Sequence, residues 1–309
     1  MFALFVLRRI LQLVPVFFGV TFLSFMLIRA APGDAARFVL AERGIDLSGA
    51  ALEKTRRELG LDAAAIVQYG AYIKAVLRGN LGRSYITKEP VTAELGRRFR
   101  VTALLSLVSM TLALAAAIAA GALCAVKQNT AFDRIVRVIC LFGLSLPAFC
   151  LALLLIAAFA LKTRLLPVFA GGGIARYILP CVTLTSGGAA YYTRFIRAAL
   201  LEDFSKPYIL AAKARGLSTA AIVRAAMKNA SLPVLSSLSM SLAFLLGGNI
   251  VVEKIFAIPG VGSCLIDGIT KRDYAAVDGC VLLYAAIFSL LNLISDIACA
   301  RIHPLYEKT

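Results

Sequence analysis

The sequence has no tryptophan and one histidine, His303, close to its end. That excludes a metal centre built from several histidines within the chain. No G-x-x-x-x-G-K-[ST] stretch occurs, so no loop of this chain cradles nucleotide phosphates in the P-loop manner. G-x-S-x-G, H-E-x-x-H and C-x-x-C are missing too, which removes the nucleophile elbow, the zinc helix and the dithiol motif. Acidic residues are scarce, with 17 Asp and Glu against 33 Lys and Arg. Asp133, Glu202 and Asp203 show no spacing that pairs carboxylates for acid–base work.

What is present is apolar. Hydrophobic residues make up 60% of the 309, and mean hydropathy is +0.85. They gather in blocks of about 20, the length a helix needs to cross a bilayer. The blocks run over 10–30, 101–126, 138–161 (with Pro147), 177–200 (with Gly187 and Gly188), 234–252 and 281–300. The expected fold class is therefore all-α, a polytopic membrane protein of six transmembrane helices. The net charge of +16 then belongs to loops facing acidic headgroups, not to a nucleic acid site. The first block is too long for a signal-peptide core and is expected to remain as an anchor.

Basic residues set the orientation. With the N-terminus inside, the inner segments carry fourteen Lys and Arg and the two short outer loops carry six. Segment 31–100 carries twelve but is too long for the charge rule. Both termini are expected to be cytoplasmic. The chain divides into 1–30, the N-terminus and first span; 31–100, an extracytoplasmic helical cap; and 101–309, a five-helix core with a cytoplasmic loop at 201–233. In the cap, Ser48 is placed to start a helix that Gly60 ends. Ile66, Tyr69, Ile73 and Leu77 recur at helical spacing as its buried side, leaving Arg56, Arg57 and Lys74 on a basic surface. Gly171, Gly172 and Gly173 read as a flexible turn.

Five of the seven cysteines, Cys124, Cys140, Cys150, Cys181 and Cys299, lie in or beside apolar blocks and read as small buried hydrophobes. Cys264 and Cys280 flank a polar loop, and sequence leaves their pairing open.

The loop at 201–233 is too polar to cross a bilayer and too rich in Ala for a plain linker. Lys206-Pro207 opens a short helix and Gly216 stops it. Tyr208, Ala211, Ala212 and Arg215 share one face, where small residues allow a second backbone to come close. Two readings remain open on these residues: a helix docked on a soluble partner, or a solvated elbow.

The residues of this loop resemble the EAA loop of permease subunits in ATP-binding-cassette importers. The dipeptide, oligopeptide and nickel branch shows Y-x-x-x-A-x-A-x-G-L followed by a basic residue and N-A-x-L-P. Here stand Tyr208, Ala212, Ala214, Gly216 and Leu217, then Lys228, Asn229, Ala230, Leu232 and Pro233. Leu210 replaces the name-giving glutamate. Further matches run along the chain: Arg8-Arg9, Pro32-Gly33-Asp34, LGLD at 59–62, Gln68-Tyr69, NLGRS at 80–84, EKIFAIPGVG at 253–262 and Arg272-Asp273-Tyr274. The resemblance implies a type I ABC importer permease fold in a bacterial inner membrane. It implies a second homologous permease, two ATP-binding subunits that hold ATP and Mg, and an extracytoplasmic binding protein. It assigns ATPase coupling to Tyr208, Ala211, Ala212, Lys213, Arg215, Gly216 and Leu217, with Arg194 and Arg197 as basic contacts nearby. No cofactor or metal is expected on this chain itself, and no enzymatic site.

Ser145, Thr185, Ser186, Asn249 and Asn292 are candidates for lining the translocation path. The plainer reading, favoured residue by residue, is hydrogen bonding between helices. The short loop near 162–177 resembles nickel-type members of that family, where some dipeptide-type members carry a long insertion, and the resemblance leans the cargo toward nickel, chelated because histidine is nearly absent, over short peptides. A stand-alone secondary transporter is the rival of another class, but it needs no docking helix and commonly shows inverted repeats.

Overall fold

The computed structural model describes residues 2–30, 33–42, 45, 48–168 and 173–302. Helices α1 (Phe2–Ala30), α2 (Ala35–Glu42), α3 (Gly49–Glu58), α4 (Ala65–Val76), α5 (Val91–Val126), α6 (Ala131–Ser145) and α7 (Ala148–Leu155) come first. A π-helical stretch, Ile156–Lys162, extends α7, and a 3-10 turn, Gly173–Tyr177, precedes α8 (Ile178–Phe204). Then follow α9 (Pro207–Ala214), α10 (Thr219–Gly248), α11 (Ile250–Ile255), α12 (Val261–Thr270) and α13 (Tyr274–Ile302). The chain forms two compact units, one of Met1–Phe2, Ala103–Ala257 and Leu290–Thr309, the other of Ala3–Thr102 and Ile258–Ser289.

Among the described residues, four helical segments are long and apolar enough to cross a membrane: Leu11–Ala30, Val91–Val126, Ser237–Ile255 and Tyr274–Ile297. The expected span at 138–161 is instead a broken pair, Ala131–Ser145 and Ala148–Lys162, bent by 101°. Pro147 causes the break. Its ring drives Leu146 out of the helical region, to ψ 116, and it offers no N–H to continue α6. Counted as one span, the pair brings the number to five against the six expected. The span expected at 177–200 falls within α8, which continues through the charged run Arg194, Arg197, Glu202 and Asp203. Pro233 does not end its helix, so α10 runs unbroken from the polar loop into the apolar block.

In the first unit, side chains four residues apart form the core. Tyr192, Ile196 and Leu200 on α8 meet Ile222, Ala226, Ala230 and Val234 on α10. Met110, Ala117 and Ala125 of α5 join them. A Cβ at Gly121 would lie 3.0 Å from the Thr193 carbonyl oxygen and 3.1 Å from Ile196, so only glycine lets α5 come this near α8. Where α6 meets α8, a Cβ at Gly143 would stand 3.2 Å from that of Ala190.

The second unit packs Val91 and Leu95 of α5 with Val261, Cys264 and Cys280. Arg29 ties α1 to the rest. It donates to Gln68 Oε1 at 3.1 Å, pairs with Asp278 at 3.2 Å and covers the Phe25 ring at 3.3 Å. Helix α3 starts after Ser48 as expected, but the Ser48 side chain makes no cap bond. Gly60, at φ +66, follows its end. The expectation that Ile66 and Leu77 are buried is corrected: they are 63% and 75% exposed. The helical run presents Tyr69 inward, edge-on against Phe25, while Ile66 and Leu77 lie about 60–80° around the helix from it, on a flank that no neighbour covers. Arg56 pairs with Asp34 at 2.9 Å and Arg57 with Glu53 at 3.9 Å, while Lys74 stays exposed. Residues 171, 172 and 303 lie outside the described residues.

Candidate functional site: the short helix between α8 and α10

Local sequence sets both ends of α9. Lys206 is extended, and Pro207 takes the first helical position, where a missing N–H costs nothing. At the other end the Gly216 N–H reaches Lys213 O at 2.9 Å and the Leu217 N–H reaches Ala212 O at 3.2 Å. This double bond pattern closes a helix when the residue after the cap turns left-handed, and Gly216 has φ +73. Ser218 then caps α10 by accepting from the Ala221 N–H at 3.4 Å.

The underside of α9 is anchored. Ile209 is fully buried in the α8–α10 core. Asp203, also buried, accepts from the Tyr208 hydroxyl and from Asn229 Nδ2 at 3.3 Å, and pairs with Lys206. Asn229 also donates to the Tyr208 oxygen at 2.8 Å. Burial pushes the Asp203 carboxyl up, but hydrogen bonds from Lys206, Tyr208 and Asn229 outweigh it and hold the group below its ordinary value. The same Asp203 bond raises Lys206, while burial and then Asp203 raise Tyr208. The upper side is open. Leu210, Ala211, Lys213, Ala214, Arg215, Gly216 and Leu217 are exposed, Tyr208 is 39% exposed and Ala212 is half-buried. Helix α9 is thus anchored on one side and presents a small, basic, open face on the other.

The basic pair upstream separates into two environments. Arg197 is largely buried and gives two hydrogen bonds to Asp133, at 2.7 and 2.8 Å. Arg194 is exposed. Of the path candidates, Thr185 donates to the Ser109 carbonyl at 3.3 Å, Ser186 to Thr183 at 2.8 Å and Asn249 to Ser106 Oγ at 3.0 Å. Ser145 is exposed at the α6 break and Asn292 is half-buried on α13. Among the described residues no hydrogen bond joins any two of these five. Cys264 and Cys280 are buried free thiols.

Asp133, Asp203 and Ile209 are the residues that sequence reasoning missed. Thr130-x-x-Asp133 before an apolar run is a capping signature that points to Asp133, and the Thr130 hydroxyl does accept from the Asp133 N–H. Nothing local marks Asp203. The scattered short motifs do converge in the second unit. Gly33 lies against the Arg272 guanidinium, and Ser84 bonds Asp273.

Long apolar helices with an exposed, firmly capped helix on a polar elbow define a membrane-spanning transport subunit. Comparison gives the family. The family described as binding-protein-dependent transport system inner membrane component matches residues 117–308, and the N-terminal membrane component of the same system matches 1–108. The chain belongs to this family. It is 37% identical to the glutathione transport system permease protein GsiC of Escherichia coli O6:H1 over 97% of each chain, and 36% identical, with the same coverage, to GsiC of Shigella dysenteriae serotype 1. Among solved structures, one of the inward-facing conformations of the MetNI methionine ABC transporter matches with a TM-score of 0.58 at 20% identity, covering 70% of this chain and 99% of that one. The fold is that of type I ABC importer permeases, and the protein is a multi-pass permease subunit of the inner membrane.

Proposed function

We propose that this permease subunit carries short peptides of the glutathione class inward, with α9 as the contact for an ATPase subunit. The observation that carries the cargo reading is the 37% identity over 97% of the chain to a glutathione permease. The short loop at 162–177 keeps a nickel chelate as the second reading. Support for coupling comes from the mounting of α9: Ile209 and the Asp203 bonds transmit a push on the open face straight into α8 and α10. Two ATP-binding subunits hold ATP and Mg, and this chain only receives their motion. A second homologous permease completes the path and an extracytoplasmic binding protein delivers cargo to the 31–100 side. Both termini face the cytoplasm. Uptake into vesicles carrying the reconstituted importer tests the cargo, with labelled glutathione, a dipeptide and a nickel chelate offered in turn. ATP-dependent accumulation of peptide supports the reading, and accumulation of nickel chelate alone rejects it.

A further inference from the structure

A second feature of the first unit lies away from α9. Helices α6 and α8 run antiparallel, fixed at two points by Asp133 with Arg197 and by Gly143 against Ala190. Between these points a groove of about 540 Å³ opens, lined by Arg137, Leu144, Tyr191, Arg194 and Phe195. Its chemistry changes along its length. One end holds Arg137 and Arg194, both exposed. Leu144 is seven residues from Arg137, about 10 Å along α6, and with Tyr191 it forms the apolar end. Tyr191 and Phe195 stack, with ring centres 6.0 Å apart and planes at 19°, and give the groove a flat wall.

Charge in the groove is unbalanced. Three guanidiniums, Arg137, Arg194 and Arg197, line the groove, and the one carboxylate beside it, Asp133, has both oxygens taken by Arg197. Arg137 stands 3.6 Å from the same carboxylate. Among the described residues no carboxylate pairs with Arg194. The sequence places this excess at a membrane boundary. The apolar block 138–161 begins directly after Arg137, and Arg194 is the first charged residue along α8, late in the block 177–200. Cations at the boundary with an aromatic and apolar slot running inward match a phosphate headgroup followed by acyl chains.

We infer that the α6–α8 groove binds an anionic phospholipid, its phosphate held by Arg137 and Arg194 and its chain lying along Leu144, Tyr191 and Phe195.

The test uses the complete importer in phosphatidylcholine bilayers doped with phosphatidylglycerol that carries a photoreactive acyl chain. Crosslinks are mapped by mass spectrometry in the native protein, in the double variant Arg137→Gln with Arg194→Gln, and in the Lys version of both. Labelling is expected within 137–144 and 191–198. Loss of two basic contacts at an anionic surface lowers it by roughly thirtyfold, and the Lys version keeps most of it. Labelling unchanged in the Gln variant overturns the inference. So does labelling seen only when the second permease is absent, which makes the groove a subunit interface. Displacement by transported peptide assigns it to the cargo path, and equal displacement by soluble glycerol phosphate shows that no acyl chain is recognised; either result also overturns it.

Discussion

Arg197 takes both carboxylate oxygens of Asp133, at 2.7 and 2.8 Å, across 64 positions of sequence. Asp133 is fully shielded and Arg197 nearly so, and the pair fixes the start of α6 to α8 one turn before Leu200 and Leu201. Asp133 also accepts from the Asn129 N–H at 3.1 Å, so the turn into α6 and the helix leading to α9 share one carboxylate.

Asp133→Asn therefore leaves a guanidinium without its counter-charge in a shielded place. Breaking one partner of such a pair costs about 3 kcal/mol. The expected result is a thermal midpoint lower by several degrees, read with a thiol-reactive dye on the buried Cys124 and Cys140. The double variant Asp133→Asn with Arg197→Gln is expected to recover part of the loss. An unchanged midpoint for the single variant refutes a structural role for the pair.

Asp203 makes the mounting of α9 sensitive to acid. Its folded pKa lies below the ordinary 3.8. The stability it contributes is fully present above that ordinary value and is lost as pH falls through the lower folded one. Deuterium uptake at amides 208–214, corrected for intrinsic rate, is expected to rise as pH drops below 3.8 and to be already high at neutral pH in Asp203→Asn. Equal protection in the variant and the native protein at neutral pH contradicts the anchoring role.

Topology has its own check. Ala50 and Ala220 are both exposed. Cysteines placed there, in a background without reactive native thiols, are expected to label from opposite sides. The one at Ala50 reacts with an impermeant reagent in intact cells, and the one at Ala220 reacts only after the membrane is opened. Labelling of both from one side overturns the topology proposed above.

Much of the architecture is legible in sequence because apolar blocks and breakers act locally. Pro207 and Gly216 announce α9, and the structure shows the turn chemistry they supply. Pro147 is legible as a disturbance but not as a 101° break, since the angle depends on how α6 and α7 pack on α8. Charged residues are read less well. Arg197 looks like a surface cation beside Arg194, and only Asp133, brought over from a distant loop, tells them apart. Asp203 is silent for the same reason, because its partners Tyr208 and Asn229 gain their meaning when the chain folds back. The Ile66 and Leu77 faces were misjudged because helical period alone does not say which side meets a neighbour.

Passage of ATPase motion through α9 into the helices is tested most directly by Gly216→Glu. Apart from its two chain neighbours, no described residue comes within 4 Å of a Cβ at Gly216, so the substitution meets no clash there. It costs about 1 kcal/mol of left-handed backbone strain and puts a bulky acid on the open face. Peptide uptake and the ATPase rate of the assembled importer are measured together, with membrane insertion and Gly216→Ala as controls. Expected are stable insertion, uptake reduced to near background, ATPase activity no longer tied to cargo, and a far milder defect for Gly216→Ala. Normal cargo-stimulated uptake by a stably inserted Gly216→Glu protein contradicts coupling through α9.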